Sequence, residues 1–584
     1  MGFTRRDLLK FTGGSAAGLA LSPVPWGLLH DTSLLSENWP GIPHPPRGEI
    51  RKRYTTCTLC PAGCGVRARC VGDQPVSLAG VAGHPSGALC TAGLAGHHLA
   101  FCRDRATESL AAGKPVAMER ALSGISAAIA ACGSRESVAI LDSRPGRAAS
   151  EVYRRFLAGL PNGIHCTSLD MQDASFGIDL ENTRAIVSFG APVLDGWLSP
   201  GRVLANRSHF QLIQVEAAYS RTASLSDLRV PVLSGTESAF AEAVVRALDG
   251  DTSDSQAAEV AGMLRSNKPA IAVGVAPAAG RLNSALGAFG RPGGLLPRRG
   301  FQAATDIANV PDHSIRVLLI EEGSTSLPWD LLDRKLAPQN HTVVALTPWL
   351  DGCARHADYV IAAPVYLESL DEAPTPAGSP VAAFSLSPAL LATPPKLTPP
   401  AEFIMRLARD SATYPDILKQ RVAAIRKDGR GTVFTYADAK STPIRDIASA
   451  EDLWKTMLAG ALWLDEPLPD RPVHAMASAK EAEAPTPTPE FPLLLIAADS
   501  PPLHASPLMS KLYSESGLRR PANAAIVNPK TGHDHGLSDG CRALVQSATA
   551  EFKVQAIFDP AVMPGVIELA MAGPPNAAGT IRRI

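Results

Sequence analysis

Cysteines Cys57, Cys60 and Cys64 fall within eight residues of one another in "CTLCPAGCGVRARC" (57–70), and Cys90 follows in "GALCTAG", giving the spacing C-x2-C-x3-C-x25-C. Three thiols so close together do not separate into independent disulfides. Each bridge needs its own Cα separation of about 4.4–6.8 Å, and the loops between would be very short. The set reads as a ligand array. Structural zinc usually takes cysteines as two C-x2-4-C pairs, whereas a loop of three plus one remote cysteine is a common way to hold an iron–sulfur cubane. Gly63 and Gly65 flank the third cysteine and free the backbone to wrap and to donate N–H groups to sulfur. The spacing points first to a [4Fe-4S] cluster, with zinc or disulfides as the alternatives. Cys70, Cys102, Cys132, Cys353 and Cys541 read as small buried hydrophobes.

The first thirty residues stand outside the fold. "TRRDLLKFTGGSAAGLALSPVPWGLL" places Arg5 and Arg6 before a mildly apolar segment broken by Gly13, Gly14, Pro23 and Pro25. A membrane span needs about 20 continuous apolar residues, and such a helix would be interrupted here. The order resembles a twin-arginine export signal, with Thr4, Arg5, Arg6, Leu8, Leu9 and Lys10 in the usual pattern. Periplasmic delivery of a protein folded around its cofactor is therefore expected.

A chain of 584 residues exceeds a single hydrophobic core, so several domains are required. With 55 Lys+Arg against 56 Asp+Glu there is no basic footprint, which excludes nucleic acid as a partner. "ESVAILD", "TRAIVSF", "HFQLIQV", "KPAIAVGV", "IRVLLIE", "HTVVALT" and "ADYVIAAP" are short Val- and Ile-rich runs bounded by turn signals. Helical stretches such as "SEVYRRFLAGL" and "ESAFAEAVVRALDG" lie between them. That alternation predicts parallel sheets covered by helices, an α/β body with ligand crevices at the carboxyl ends of the strands. From "FPLLLIAADS" onward, short strands and Gly or Pro turns predict a β-barrel. "TPPKLTPP" (393–400) and "EAEAPTPTPE" (481–490) read as stiff exposed linkers. The expected division is a signal at 1–30, a [4Fe-4S] domain at 51–110, α/β domains at 111–400, a helical segment with a Pro-rich linker at 401–490, and the barrel at 491–584.

"YTTCTLCPAGCGVRARCVGDQPVSLAGVAGHPSGALCTAG" is similar to the N-terminal [4Fe-4S] segment of the molybdopterin oxidoreductase family. The likeness extends to "TRAIVSFGAPVLDGW" (183–197), to the strand, loop and helix after "SHFQLIQVE", and to "ALGAFGRPGGLLPRRG" (285–300). It continues in "ADYVIAAPVYLESLDEAPTPAGSPV" (357–381) and "NPKTGHDHGLSDGCRALVQS" (528–547). The resemblance implies an iron–sulfur domain, two Rossmann-like α/β domains and a C-terminal barrel that caps a pterin. It puts Gly190, Glu216, Asp170 and Asn528 beside a molybdenum bis-pterin guanine dinucleotide. The metal ligand would fall in "GIHCTSLDMQDASFG", where Cys166, Ser168 and Asp170 have suitable chemistry and simple register favours Asp170. His165 reads as a loop histidine.

Two departures argue against molybdenum chemistry. The family commonly has a lysine two residues after the fourth cysteine, between cluster and pterin, where this chain has Ala92. Its "V-D-P-R" appears as Val215, Glu216, Ala217 and Ala218, without the arginine that would pair a phosphate. In this the chain resembles the family's small, cofactor-poor members, the molybdopterin-like subunits of menaquinone reductase complexes and of alternative complex III. These work beside a ferredoxin-like iron–sulfur subunit, a polytopic quinone-interacting membrane subunit and a multihaem cytochrome c. The implied role is electron transfer in a membrane-associated respiratory complex. An active molybdenum oxidoreductase acting on a small oxyanion or sulfur compound is one alternative, and a redox-inactive scaffold is another.

Overall fold

The computed structural model describes residues 48–102, 105–167, 176–194, 199–298, 305–321, 329–376, 378–468, 486–497, 523–548, 550–569 and 577–584, with 10, 12, 14 and 15 near the start. The signal residues Thr4, Arg5, Arg6, Leu8 and Leu9 and the first half of the 481–490 stretch thus lie outside the described residues, as do Ser168 and Asp170. The chain divides into a small unit, 1–51 with 70–74, and a large one, 52–69 with 75–584. In the small unit the Gly72 N–H donates to the Glu49 carbonyl at 3.0 Å, and Arg51 pairs with Glu49 on the surface. The large unit holds the four cysteines and the elements described next.

Its central sheet has eight strands. Six run parallel in the order Thr305–Asp306, Gly163–Thr167, Ser137–Asp142, Ile315–Glu321, Thr342–Thr347 and Tyr359–Ala362, and a hairpin of Leu110–Ala111 and Lys114–Pro115 closes one edge. Every residue of Ser137–Asp142 is buried, as expected for a parallel strand covered on both faces, where apolar residues run continuously instead of alternating. A second, all-parallel sheet orders Leu228–Val230, Gln211–Val215, Ala185–Phe189 and Ala270–Gly274. Helix Glu237–Leu248 packs Phe240, Ala241, Val244 and Ala247 against it, the one-sided spacing a 3.6-residue period requires. The C-terminal region closes into a six-stranded barrel from Leu493–Ala497 to Ala577–Arg583. The α/β body and the terminal barrel are thus the architecture the sequence predicts.

Two expectations are corrected. Residues 393–400 are not an exposed linker. Leu397 and Thr398 are buried, Leu397 packs with Ala345 and Ala362, and the Thr398 N–H donates to the Ala362 carbonyl at 3.0 Å. The prolines there lead straight into helix Pro400–Leu407, where proline suits the first turn because its missing N–H would have no helical partner. The 401–468 stretch is not only helical. It adds Thr432–Thr435, Lys440–Pro443 and Ala461–Leu464 to Asp371–Ala373 and Ala383–Ser387 in an antiparallel sheet.

Backbone contact positions the cysteine region on this frame. Gly87, with φ of +73°, meets Gly201 so closely that a Cβ on Gly201 would sit 2.0 Å from the Ala88 carbonyl oxygen. Backbone cannot swing aside as a long side chain would. Gly201→Ala is therefore expected to lose about 3 kcal/mol, the upper end of overpacking costs, read as a lowered denaturation midpoint.

Candidate functional site

The strand Ile50–Thr56 delivers the chain to Cys57, and its end is pinned to the antiparallel sheet. Thr55 Oγ1 donates to the Pro388 carbonyl at 2.9 Å, Ser387 Oγ donates to the Thr56 carbonyl at 2.7 Å, and the Thr56 and Tyr436 hydroxyls meet at 2.9 Å. The loop then closes on itself, the Cys57 N–H donating to the Cys64 carbonyl at 2.8 Å. Gly63 takes φ of +55°, a conformation glycine adopts without strain. Gly65 matters for another reason. A Cβ there would lie 2.6 Å from the His84 ring, so glycine allows a close approach. Cys90 arrives from the Gly87 turn and caps the short helix Thr91–Ala95.

Cys57, Cys60, Cys64 and Cys90 form no disulfide with one another. Cys57, Cys60, Cys64 and Cys90 converge. Cys57 and Cys64 are buried and Cys60 and Cys90 half-buried; Cys57 feels the charge of Cys60 and Cys90, Cys60 that of Cys90, and Cys64 that of all three. Burial above all, then this mutual repulsion, pushes the Cys57 and Cys64 thiols far up and the Cys60 thiol up to about 12. Opposing it, backbone N–H groups at Leu59 and Ala62 favour the Cys57 and Cys60 thiolates. Ala92, 1 % exposed, packs on Leu59, Cys60 and Cys90. The position at which the family commonly carries lysine is therefore an apolar wall. Beside the cysteines stands Tyr366, whose buried hydroxyl interacts with Cys57 and feels the Cys57, Cys64 and Cys90 charges.

Among the described residues no group of three or more His, Cys, Asp or Glu closes on one ion-sized point. Four neighbouring cysteines and amide donors along their loop fit an iron–sulfur group. Thiolates forced together in a buried site need a cationic metal core to hold their charge.

The other sequence-stated positions do not join this pocket. Cys166 is fully buried within Gly163–Thr167, its thiol pushed up to about 12 by burial and then by Asp306. Cys70 and Cys353 are buried hydrophobes as expected, while Cys102, Cys132 and Cys541 are only half-buried. Glu216 accepts from Gln214 Nε2 at 2.7 Å and from the Ser220 N–H at 2.6 Å, one bond to each oxygen. Asn528 accepts from the Lys530 N–H at 2.9 Å and donates to the Val562 carbonyl at 2.8 Å. Arg229, stacked on Tyr219, donates to the Ala218 and Ala561 carbonyls at 2.7 and 2.6 Å and so ties the second parallel sheet to the barrel region. Gly190, with φ of +70°, leaves open space at the end of its strand. Apart from Gly190, these described positions are engaged within the protein.

A feature invisible in the sequence adjoins the cysteines. Asp142 and Glu321 lie opposite each other at the carboxyl ends of neighbouring parallel strands. Arg147, 2 % exposed, bridges them, bonding Asp142 at 3.1 Å and Glu321 through a short contact. Arg144 reaches Glu321 at 3.2 Å, Asp371 at 2.8 Å and the Thr58 carbonyl of the cysteine loop at 3.4 Å. His165 Nε2 meets Asp142 at 3.1 Å, so this histidine is satisfied, though it lies in strand Gly163–Thr167 and not in a loop. The arginines hold the Asp142 and Asp371 carboxyls below the usual range against the opposing effect of burial. Charged side chains separated by more than 170 residues offer no periodic signal, and only the family's loop placement hinted that this region had a function.

Comparison with known proteins agrees with this architecture. No protein-family model matches the chain. The menaquinone reductase molybdopterin-binding-like subunit of Nitratidesulfovibrio vulgaris is 26 % identical over 537 residues, covering 74 % of this chain and 77 % of that protein. The acetylene hydratase of Pelobacter acetylenicus shares the fold with a TM-score of 0.65 at 13 % identity, covering 90 % of this chain and 93 % of its own. The chain is thus similar in sequence to the menaquinone reductase subunit along three quarters of its length and shares the fold of the acetylene hydratase along nine tenths of it.

Proposed function

We propose that the chain is the iron–sulfur electron-transfer subunit of a membrane-associated respiratory oxidoreductase complex, without molybdenum chemistry of its own. The observation that carries this reading is the convergence of Cys57, Cys60, Cys64 and Cys90 in one buried pocket. A [4Fe-4S] group bound there supplies a one-electron relay. The chain's own residues set its terms. The Leu59 and Ala62 amides steady the thiolates, Ala92 packs an apolar wall against Cys60 and Cys90, and burial disfavours added negative charge. Glu216 and Asn528, engaged within the protein, support the absence of a working pterin dinucleotide.

Among the described residues no helix is long and apolar enough to cross a membrane. In this reading attachment comes through partners: a ferredoxin-like iron–sulfur subunit, a polytopic quinone-interacting subunit and a multihaem cytochrome c. Arg5 and Arg6 direct the folded protein to the periplasm. Elemental analysis after anaerobic purification from the native membrane tests the proposal. About four irons per chain with no molybdenum or tungsten are expected. Stoichiometric molybdenum, or zinc in place of iron, overturns it.

A further inference from the structure

We propose that Glu372 takes up one proton when the four-cysteine site takes up one electron, through a hydrated cavity between them. The inference rests on the electron-transfer reading above and adds proton coupling to it.

A cavity of about 100 Å³ separates the two sites. Thr58, Leu59 and Tyr366 line its cysteine side, and Arg144, Asp371 and Tyr414 line the other. At about 30 Å³ per molecule it holds about three waters, far below the 300–1,000 Å³ of a typical organic-ligand pocket. Water is the fitting occupant because the walls offer polar partners. Arg144 Nε is buried and lacks a hydrogen-bond partner.

The cavity leads to a carboxylate. Tyr414 Oη, on its wall, donates to Glu372 Oε1 at 2.7 Å. Glu372 is fully buried. Its Oε1 also accepts from the Ala149 N–H at 3.2 Å, while Oε2 has no hydrogen-bond partner and stands 3.6 Å from Arg421. The titratable and charged groups facing it are Arg421 and Tyr414 from helix Tyr414–Asp428, Arg147 at the start of helix Ala148–Ala158, and Asp371 on its own strand. Across the sheet its partner is the apolar Leu386. Burial outweighs Arg421 and Tyr414 and raises the Glu372 carboxyl above its ordinary value, whereas the arginines hold Asp142 and Asp371 ionised. Glu372 is thus the acid in this lattice closest to accepting a proton.

The balance is one electron and one proton. A one-electron donor adds negative charge beside Thr58. Arg144 links that loop to Asp371, next to Glu372, so the added charge makes Glu372 more basic through a short, poorly hydrated path. Tyr414 passes its hydroxyl proton to Glu372, an O–H bond forms on the carboxylate, and the tyrosine regains a proton from cavity water in exchange with solvent. Oxidation reverses each transfer.

Redox titration of the full chain in its native complex tests this, with dithionite as reductant and the signal followed by electron paramagnetic resonance from pH 6 to 9. The midpoint is expected to fall by about 59 mV for each tenfold drop in proton activity, and Glu372→Gln is expected to flatten that slope. Redox-difference infrared spectra of the unmodified protein give a second readout, a protonated-carboxyl band appearing on reduction, which decides the matter even if Glu372→Gln fails to fold. A pH-independent midpoint or an absent carboxyl band overturns proton coupling alone. A slope unchanged in Glu372→Gln overturns Glu372 as the acceptor. A protein with no reducible signal overturns the electron-transfer reading together with this inference.

Discussion

Replacing Cys60 with serine is expected to take the purified protein from about four irons per chain to almost none and to abolish its visible absorbance and redox signal. Cys60 is the informative choice because it is half-buried, whereas Cys57 and Cys64 are each 4 % exposed. Serine at Cys60 removes a thiolate with little loss of packing, so iron loss there reports ligation and not collapse. The N-terminal region should loosen as well, since metal binding contributes to folding when four thiols have been driven into one site. Lower thermal stability around the cysteine loop, read by hydrogen exchange at residues 57–64, is the accompanying sign. A Cys60→Ser protein with unchanged iron and redox signal would falsify the ligand assignment.

Arg147→Ala is expected to destabilise the α/β body by about 3–5 kcal/mol, the usual cost of removing one partner from a buried ion pair. Here one guanidinium lies between Asp142 and Glu321, 0 % and 3 % exposed, which face each other across neighbouring strands. Without it two buried carboxylates confront each other. The pH dependence separates this charge effect from lost packing. Arg147 depresses the Asp142 carboxyl, so its stabilisation is fully present above the unfolded carboxylate value of about 4 and is lost as pH falls through the depressed folded value. The deficit of the variant, measured by denaturant unfolding, should therefore be largest near neutral pH and narrow as the solution is acidified. A deficit constant with pH assigns the effect to packing.

How much of this was legible in the chain differs between the fold and the site. The run "IRVLLIE" coincides with strand Ile315–Glu321, and "ESVAILD" begins one residue before strand Ser137–Asp142. Continuous Val, Ile and Leu between turn residues has few alternatives to a doubly covered parallel strand. The "TPPKLTPP" stretch misled because local composition says nothing of what packs above it. There Leu397 is drawn into a core built by strands 35 to 52 residues away.

The sequence by itself determined the clustering of the cysteines and the strand–helix alternation, because both are written in local spacing: C-x2-C-x3-C close together, apolar runs separated by helices. Tertiary structure alone decided what surrounds that set. Asp142, Arg144, Arg147, Glu321, Asp371 and Glu372 look like solvated charges along the chain, yet parallel register brings Glu321 beside Asp142, and the packing of the Asp371–Ala373 strand adds two more acids. A charge is inexpensive in water and costly in a core unless paired, so its meaning depends on neighbours that only the fold supplies.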